Sequence, residues 1–402
     1  MAGRGTIGSL AVVLVLLVPG FVGLGSGLAR STVLATGLPT GNNWTQLAAL
    51  DEPQPVSRAW AAMGFDIAAG SGVLYGGQAP GGAVLADTWV NDGDVPGYWS
   101  NITDKVHGSP PALVAASMVY DPADGYWVLF GGRLANGLLS AATWEFRGLH
   151  DWVDVTAFQS ISPPAQAWPS LAYDGVDGTV VLVSSIGPRS TWTFQGGNWS
   201  FLSPSSNPPL RDRASLVYDP IERSLVLFGG VDATGARNDT WEFAAGAWRS
   251  VASPTNPPAS VTPTATYDIH DTATLLYLGD SPAATWEFSH GVWSAVAAVG
   301  PAAPSSRVGP MLYYDTILRH AVLFGGLSPD GRTSPSDVWG WAIPPVVHDP
   351  SLTLAGFSPQ ELGLLGAIVA APIVLAGYLR RKPPRKDPVT SPESAPSGTG
   401  GI

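Results

Sequence analysis

The chain has 402 residues, of which 45 % are hydrophobic and only 13 % charged, with 16 tryptophans, no cysteine and a formal net charge of −11. The acidic balance argues against a nucleic-acid partner, whose backbone demands positive charge. The lack of cysteine excludes disulfides, so an exported domain of this sequence draws its stability from its core and the way its chain closes on itself. Taken from the start, Arg4 precedes an apolar stretch over residues 7–28, densest from Leu10 to Val18. Small residues follow at Gly27-Leu28-Ala29 and Val33-Leu34-Ala35. Residues 1–35 therefore read as a secretory signal or, if retained, an N-terminal membrane anchor.

Residues 36–345 form the body of the chain and repeat one skeleton six times. Each repeat runs from Pro, often with Arg, through an apolar stretch to Tyr/Phe-Asp, then a second apolar stretch, then two spaced tryptophans. The Tyr/Phe-Asp pairs are Phe65-Asp66, Tyr120-Asp121, Tyr173-Asp174, Tyr218-Asp219, Tyr267-Asp268 and Tyr314-Asp315, in steps of 55, 53, 45, 49 and 47 residues. Short strands at a period near 50 predict an all-β, six-bladed propeller with one four-stranded sheet per repeat. The sixth repeat lacks its last tryptophan strand. Asn43-Trp44-Thr45-Gln46-Leu47, ahead of the first repeat, matches that strand and is expected to complete the last blade, closing the ring.

The second strand ends in paired glycines at Gly76-Gly77, Gly131-Gly132, Gly229-Gly230 and Gly325-Gly326; Ser184-Ser185 and Gly279-Asp280 stand there in the other two repeats. The tryptophans of the third strand are Trp89, Trp144, Trp192, Trp241, Trp286 and Trp339, and those of the fourth are Trp99, Trp152, Trp199, Trp248, Trp293 and the displaced Trp44. In these features the chain resembles the kelch-repeat propellers, including the central domain of galactose oxidase, over roughly residues 43–343. The resemblance implies ligand binding at the long-loop face and axial mouth. It does not extend to copper-oxidase chemistry, whose cofactor needs a cysteine that is absent here, and no cofactor is implied.

After a linker over residues 346–358, Ser358-Pro359-Gln360-Glu361 supplies a helix start. Leu362 to Leu379 then runs 18 residues without a charge, so residues 359–379 are expected to span a membrane. The basic run from Arg380 to Lys386 belongs on the cytoplasmic side, and residues 380–402 read as a disordered tail. Single-pass anchoring places the propeller outside the cell. Four sequons, at Asn43, Asn101, Asn198 and Asn238, permit N-glycosylation there.

Candidate site residues come from the start of the first strands. Arg58, Arg211 and Arg307 each stand eight residues before the blade's Asp, where the other blades carry Leu113, Gln166 and Ser260. Equivalent positions converge on the axis, so these three, with Arg213, are candidates for an anion site. The opposing expectation is local pairing with Asp87, Asp239 or Asp337. Residues 36–360 hold 13 basic against 28 acidic residues, a balance of −15. The histidines, His107, His150, His270, His290, His320 and His348, show no metal-ligand spacing, and His107 is assigned to the face opposite the others' turns. No metal site and no catalytic residue are expected. The reading is a monomeric binding module for a surface protein or glycan. The alternative is a carbohydrate-active enzyme akin to the kelch-like sugar epimerases, acting at an arginine-lined mouth.

Overall fold

The computed structural model describes residues 43–47, 54–91, 99–187, 190–280, 282–296, 303–316, 320–333 and 337–341. The apolar segments 7–28 and 359–379 lie outside them, as do the linker and the basic tail. Among the described residues no helix is long and apolar enough to cross a membrane.

The described chain is an all-β, six-bladed propeller. Blade 1 is built from Ala62–Asp66, Ser71–Tyr75, Thr88–Asn91 and Ser100–Asn101, and blade 2 from Leu113–Asp121, Tyr126–Leu134, Thr143–Arg147 and Asp151–Asp154. Blade 3 is Ser170–Asp174, Thr179–Val183, Thr191–Gln195 and Asn198–Leu202, and blade 4 is Ser215–Asp219, Ser224–Phe228, Thr240–Ala244 and Ala247–Val251. Blade 5 is Pro263–Asp268, Ala273–Leu278, Ala284–Ser289 and Val292–Val296. Blade 6 is Met311–Asp315, His320–Phe324 and Val338–Trp341, and its fourth strand is Trp44–Leu47, antiparallel with Trp44 opposite Trp341 and Leu47 opposite Val338. The displaced strand thus lies where the sequence places it.

Burial explains the repeat. Second strands are covered on both faces by neighbouring blades, so all five residues of Ser224–Phe228 and of His320–Phe324 are buried. Fourth strands form the outer rim, and in Ala247–Val251 only Trp248 is buried. Apolar clusters fill every blade junction. Val128 and Phe130 of blade 2, for example, pack with Val180 and Leu182 of blade 3, and Leu275 and Tyr277 of blade 5 with Leu323 and Trp339 of blade 6.

Polar bonds then fix how adjacent blades sit. The fourth-strand indole of one blade donates to a threonine on the third strand of the blade before it. The pairs are Trp152 to Thr88 (3.1 Å), Trp199 to Thr143 (2.9 Å), Trp248 to Thr191 (2.9 Å), Trp293 to Thr240 (2.8 Å) and Trp44 to Thr285 (2.8 Å). Each of these five fourth-strand indole N–H groups is therefore satisfied across a junction. The paired glycines serve the same junctions. A Cβ on Gly325 would stand 2.5 Å from the Arg58 carbonyl, while the Gly326 N–H donates to that carbonyl at 2.7 Å. Only a glycine lets the backbones approach that closely. The strand-ending aspartates cap their turns: Asp219 Oδ1 accepts from the N–H groups of Ile221 (2.9 Å) and Glu222 (3.0 Å).

Candidate functional site

The three repeat-position arginines are not at the mouth. Arg58, Arg211 and Arg307 are 0 %, 2 % and 0 % exposed. Each grips the loop before its own blade's third strand. Arg58 donates through Nη1 and Nη2 to Asp87 (2.6 and 2.8 Å), through Nη1 to Gly76 O (2.9 Å) and through Nε to Val56 O (2.9 Å). Arg211 repeats this with Asp239, Gly229 O and Pro209 O, and Arg307 with Asp337, Gly325 O and Ser305 O. The same carboxylates accept from the third-strand indoles of Trp89, Trp241 and Trp339. The anion-site expectation for these three is corrected: bidentate pairing plus burial commits their donors internally. Burial pushes the carboxyls of Asp87, Asp239 and Asp337 up, but the arginine and tryptophan bonds outweigh it and hold all three below the usual value of 3.8.

Two residues further on, the chain turns towards the axis. Trp60 (φ 53°), Ala115 (φ 60°), Trp168 (φ 54°), Arg213 (φ 60°) and Gly309 (φ 63°) occupy this position in five blades, all left-handed; Thr262 holds it in blade 5. Left-handed backbone is costly for residues with a Cβ, and such strain collects at functional positions. Backbone bonds across the blades sustain it. The N–H of Trp60 donates to Gly309 O (2.9 Å), that of Ala115 to Trp60 O (2.9 Å), that of Trp168 to Ala115 O (2.8 Å) and that of Arg213 to Trp168 O (3.4 Å). The Trp60 indole lies so close over Gly309 that a Cβ there would meet its Nε1 at 2.4 Å.

These residues line an axial cavity of about 190 Å³, with Trp60, Trp168, Arg213, Thr262 and Thr264 among its walls. The volume is below the roughly 300 Å³ at which ligand pockets usually begin, so the cavity can take no more than one small group of an occupant. The Trp60 and Trp168 rings meet edge to face at 6.3 Å, and the Arg213 guanidinium stands over Trp168 at 4.2 Å from its centroid. Arg133 approaches the same ring at 5.7 Å. Arg213 is half-buried, with Nε 3.9 Å from Asp212 Oδ1, an ion pair beyond hydrogen-bond reach. Burial pushes the Asp212 carboxyl above 3.8, and the Arg213 charge offsets this only in part. The Nε1 atoms of Trp60 and Trp168, Nε of Arg213 and Oγ1 of Thr262 are all buried without a hydrogen-bond partner among the described residues. This is a concentration of unspent donors around one cavity.

Of the residues singled out in the sequence, Arg213 alone lines the mouth. Trp60 and Trp168 were missed, although the repeat accounts for 12 of the 16 tryptophans and these are two of the four left over. The placement of His107 also needs correction. His107 lies beside His150 and Asp151, because the chain leaving blade 1 runs down the outside of blade 2 and pairs in parallel with its fourth strand. Asn101, Asn198 and Asn238 are exposed, but Asn43 is only 6 % exposed, so the closing strand's packing leaves no room for a glycan there.

Fold and site together define a six-bladed β-propeller with an aromatic, singly cationic axial pocket. The solved structure described as "Structure of YjhT" is similar, with a TM-score of 0.53 and 13 % identity over 70 % of this chain and 94 % of that one. At that identity the likeness concerns the fold alone. No family model matches the chain, and no curated protein matches it.

Proposed function

We propose that the protein is a kelch-type propeller, exported and held at the membrane by residues 359–379, whose axial mouth binds a carboxylate-bearing glycan. The observation that carries this reading is Arg213 stacked on Trp168 in the axial cavity, with Trp60 edge to face against the same ring. A sugar ring presents C–H faces that suit indole surfaces, and a carboxylate suits a guanidinium. The balance of −15 over residues 36–360 makes the mouth a local reversal of sign, which favours an anionic group there over the rest of the surface. The enzymatic alternative asks for an acid or base in the cavity. Its described walls carry hydroxyls and one guanidinium, and the available carboxylate, Asp212, is held beside Arg213. Binding without turnover is therefore the primary reading.

The test is an array of acidic and neutral glycans probed with the purified full chain and with Arg213→Ala. Binding of carboxylated glycans, reduced at least about tenfold by the substitution, supports the reading. Indifference to sugar charge, or equal binding by the variant, removes it and directs the search to a protein partner on the long loops.

A further inference from the structure

We infer that His107, His150 and Asp151 form a binding site for a late first-row divalent cation such as Zn²⁺ or Cu²⁺, on the propeller face opposite the axial mouth. The three donor atoms lie within 4.8 Å of one another. Nδ1 of His107 is 2.8 Å from Asp151 Oδ1, and Nδ1 of His150 is 2.8 Å from Asp151 Oδ2. Ligands held about 2.0–2.2 Å from one ion stand at most about 4.4 Å apart, so small ring rotations bring the set around a metal. Two imidazoles and a carboxylate select Zn²⁺, Cu²⁺ or Ni²⁺ over Ca²⁺ and Mg²⁺, which prefer all-oxygen sites.

The backbone fixes this juxtaposition, which does not depend on side-chain chance. The His107 N–H donates to His150 O at 2.7 Å, and the Trp152 N–H donates to His107 O at 2.9 Å. Trp152 is in turn anchored in the junction with blade 1 through Thr88. A Cβ at Gly108 would stand 2.5 Å from the Trp152 carbonyl, so the glycine lets the incoming segment lie flat against the strand. The side chains remain open to solvent: His107 is 84 % exposed, His150 60 % and Asp151 39 %. An ion can therefore enter from solvent with no more than those ring rotations, and three protein ligands leave positions for water or another ligand. The site is independent of Arg213 and its pocket.

The test is calorimetric titration of the full chain with ZnCl₂ and CuCl₂, with CaCl₂ and MgCl₂ as controls, on wild type, His107→Ala, His150→Ala, Asp151→Asn and His270→Ala. The expected result is one saturable equivalent of Zn²⁺ or Cu²⁺, weakened at least about tenfold by each of the first three substitutions and unchanged by the fourth. The Cu²⁺ complex should show two imidazole nitrogens by electron paramagnetic resonance. The replaced side chains are exposed or half-exposed, so the metal-free melting midpoints should match wild type and a folding defect would be seen separately. Absence of saturable Zn²⁺ or Cu²⁺ binding, or binding that survives both histidine substitutions, would overturn the inference.

Discussion

Replacing Asp87 by alanine tests the structural role assigned to the buried arginines. Arg58 is fully buried, and Asp87 accepts two of its bonds, at 2.6 and 2.8 Å, together with the Trp89 indole at 2.6 Å. Asp87→Ala leaves a buried guanidinium uncompensated and an indole without its acceptor. Breaking one side of a buried pair costs about 3–5 kcal/mol, and the 22 % exposure of Asp87 points to the lower end, about 3 kcal/mol. Blade 2 already contains the counter-experiment: Leu113 and Ala142 occupy the Arg and Asp positions there, with the same backbone latch to the preceding glycine pair. Arg58→Leu combined with Asp87→Ala should therefore recover most of the loss, because an apolar replacement of both partners is close to neutral. Urea denaturation of the full chain, followed by tryptophan fluorescence, would give a coupling of at least about 2 kcal/mol between the two sites. A cost for Asp87→Ala below about 1 kcal/mol, or a double variant as weak as the sum of the singles, would refute the reasoning.

Thr191→Val should lower stability by about 1–3 kcal/mol, read by thermal melting, since it orphans the Trp248 indole N–H within a closed junction; Thr191→Ser should restore it. Gly309→Ala should displace the Trp60 indole, which lies 2.4 Å from the added Cβ, and weaken acidic-glycan binding at least about tenfold; an unchanged affinity would mean that Trp60 is not part of the site. The pH profile of stability should be two-sided. Burial raises the carboxyl pKa values of Asp121, Asp174, Asp268 and Glu242, so their contribution is full below the ordinary values of 3.8 and 4.5 and is lost as pH rises through the folded values. The arginine-paired Asp87, Asp239 and Asp337 behave oppositely: their contribution is present above 3.8 and is lost as pH falls through the depressed values. Melting midpoints should accordingly peak on the acid side of neutrality and collapse below 3.8, and a midpoint falling steadily from pH 7 to pH 4 would contradict this assignment.

The propeller was legible because six blades must solve one packing problem, and each solution leaves the same residues behind. Trp44 announced its strand because it could only be the fourth-strand tryptophan that blade 6 lacks. The arginines and their partners were both visible: local pairing with Asp87, Asp239 and Asp337, 28 to 30 residues away, stood against the anion site as the opposing expectation, and it is the one the structure bears out. A signal favoured it: Asp stands two residues before the third-strand Trp in blades 1, 4 and 6, the same blades that carry Arg. The mouth tryptophans escaped because they sit in the turn ahead of the first strand, outside the positions that packing makes repeat. His107 escaped for a geometric reason. Sequence spacing does not say that the chain leaving blade 1 descends along the rim of blade 2.

The most direct measurement is the affinity of the full chain for a uronic-acid oligosaccharide and its neutral counterpart, for wild type, Arg213→Ala and Trp168→Ala, by calorimetry. The account expects wild type to prefer the acidic sugar at least about tenfold, Arg213→Ala to lose that preference, and Trp168→Ala to weaken both sugars. Equal affinity for the two sugars in wild type, or a preference that persists without Arg213, would contradict it.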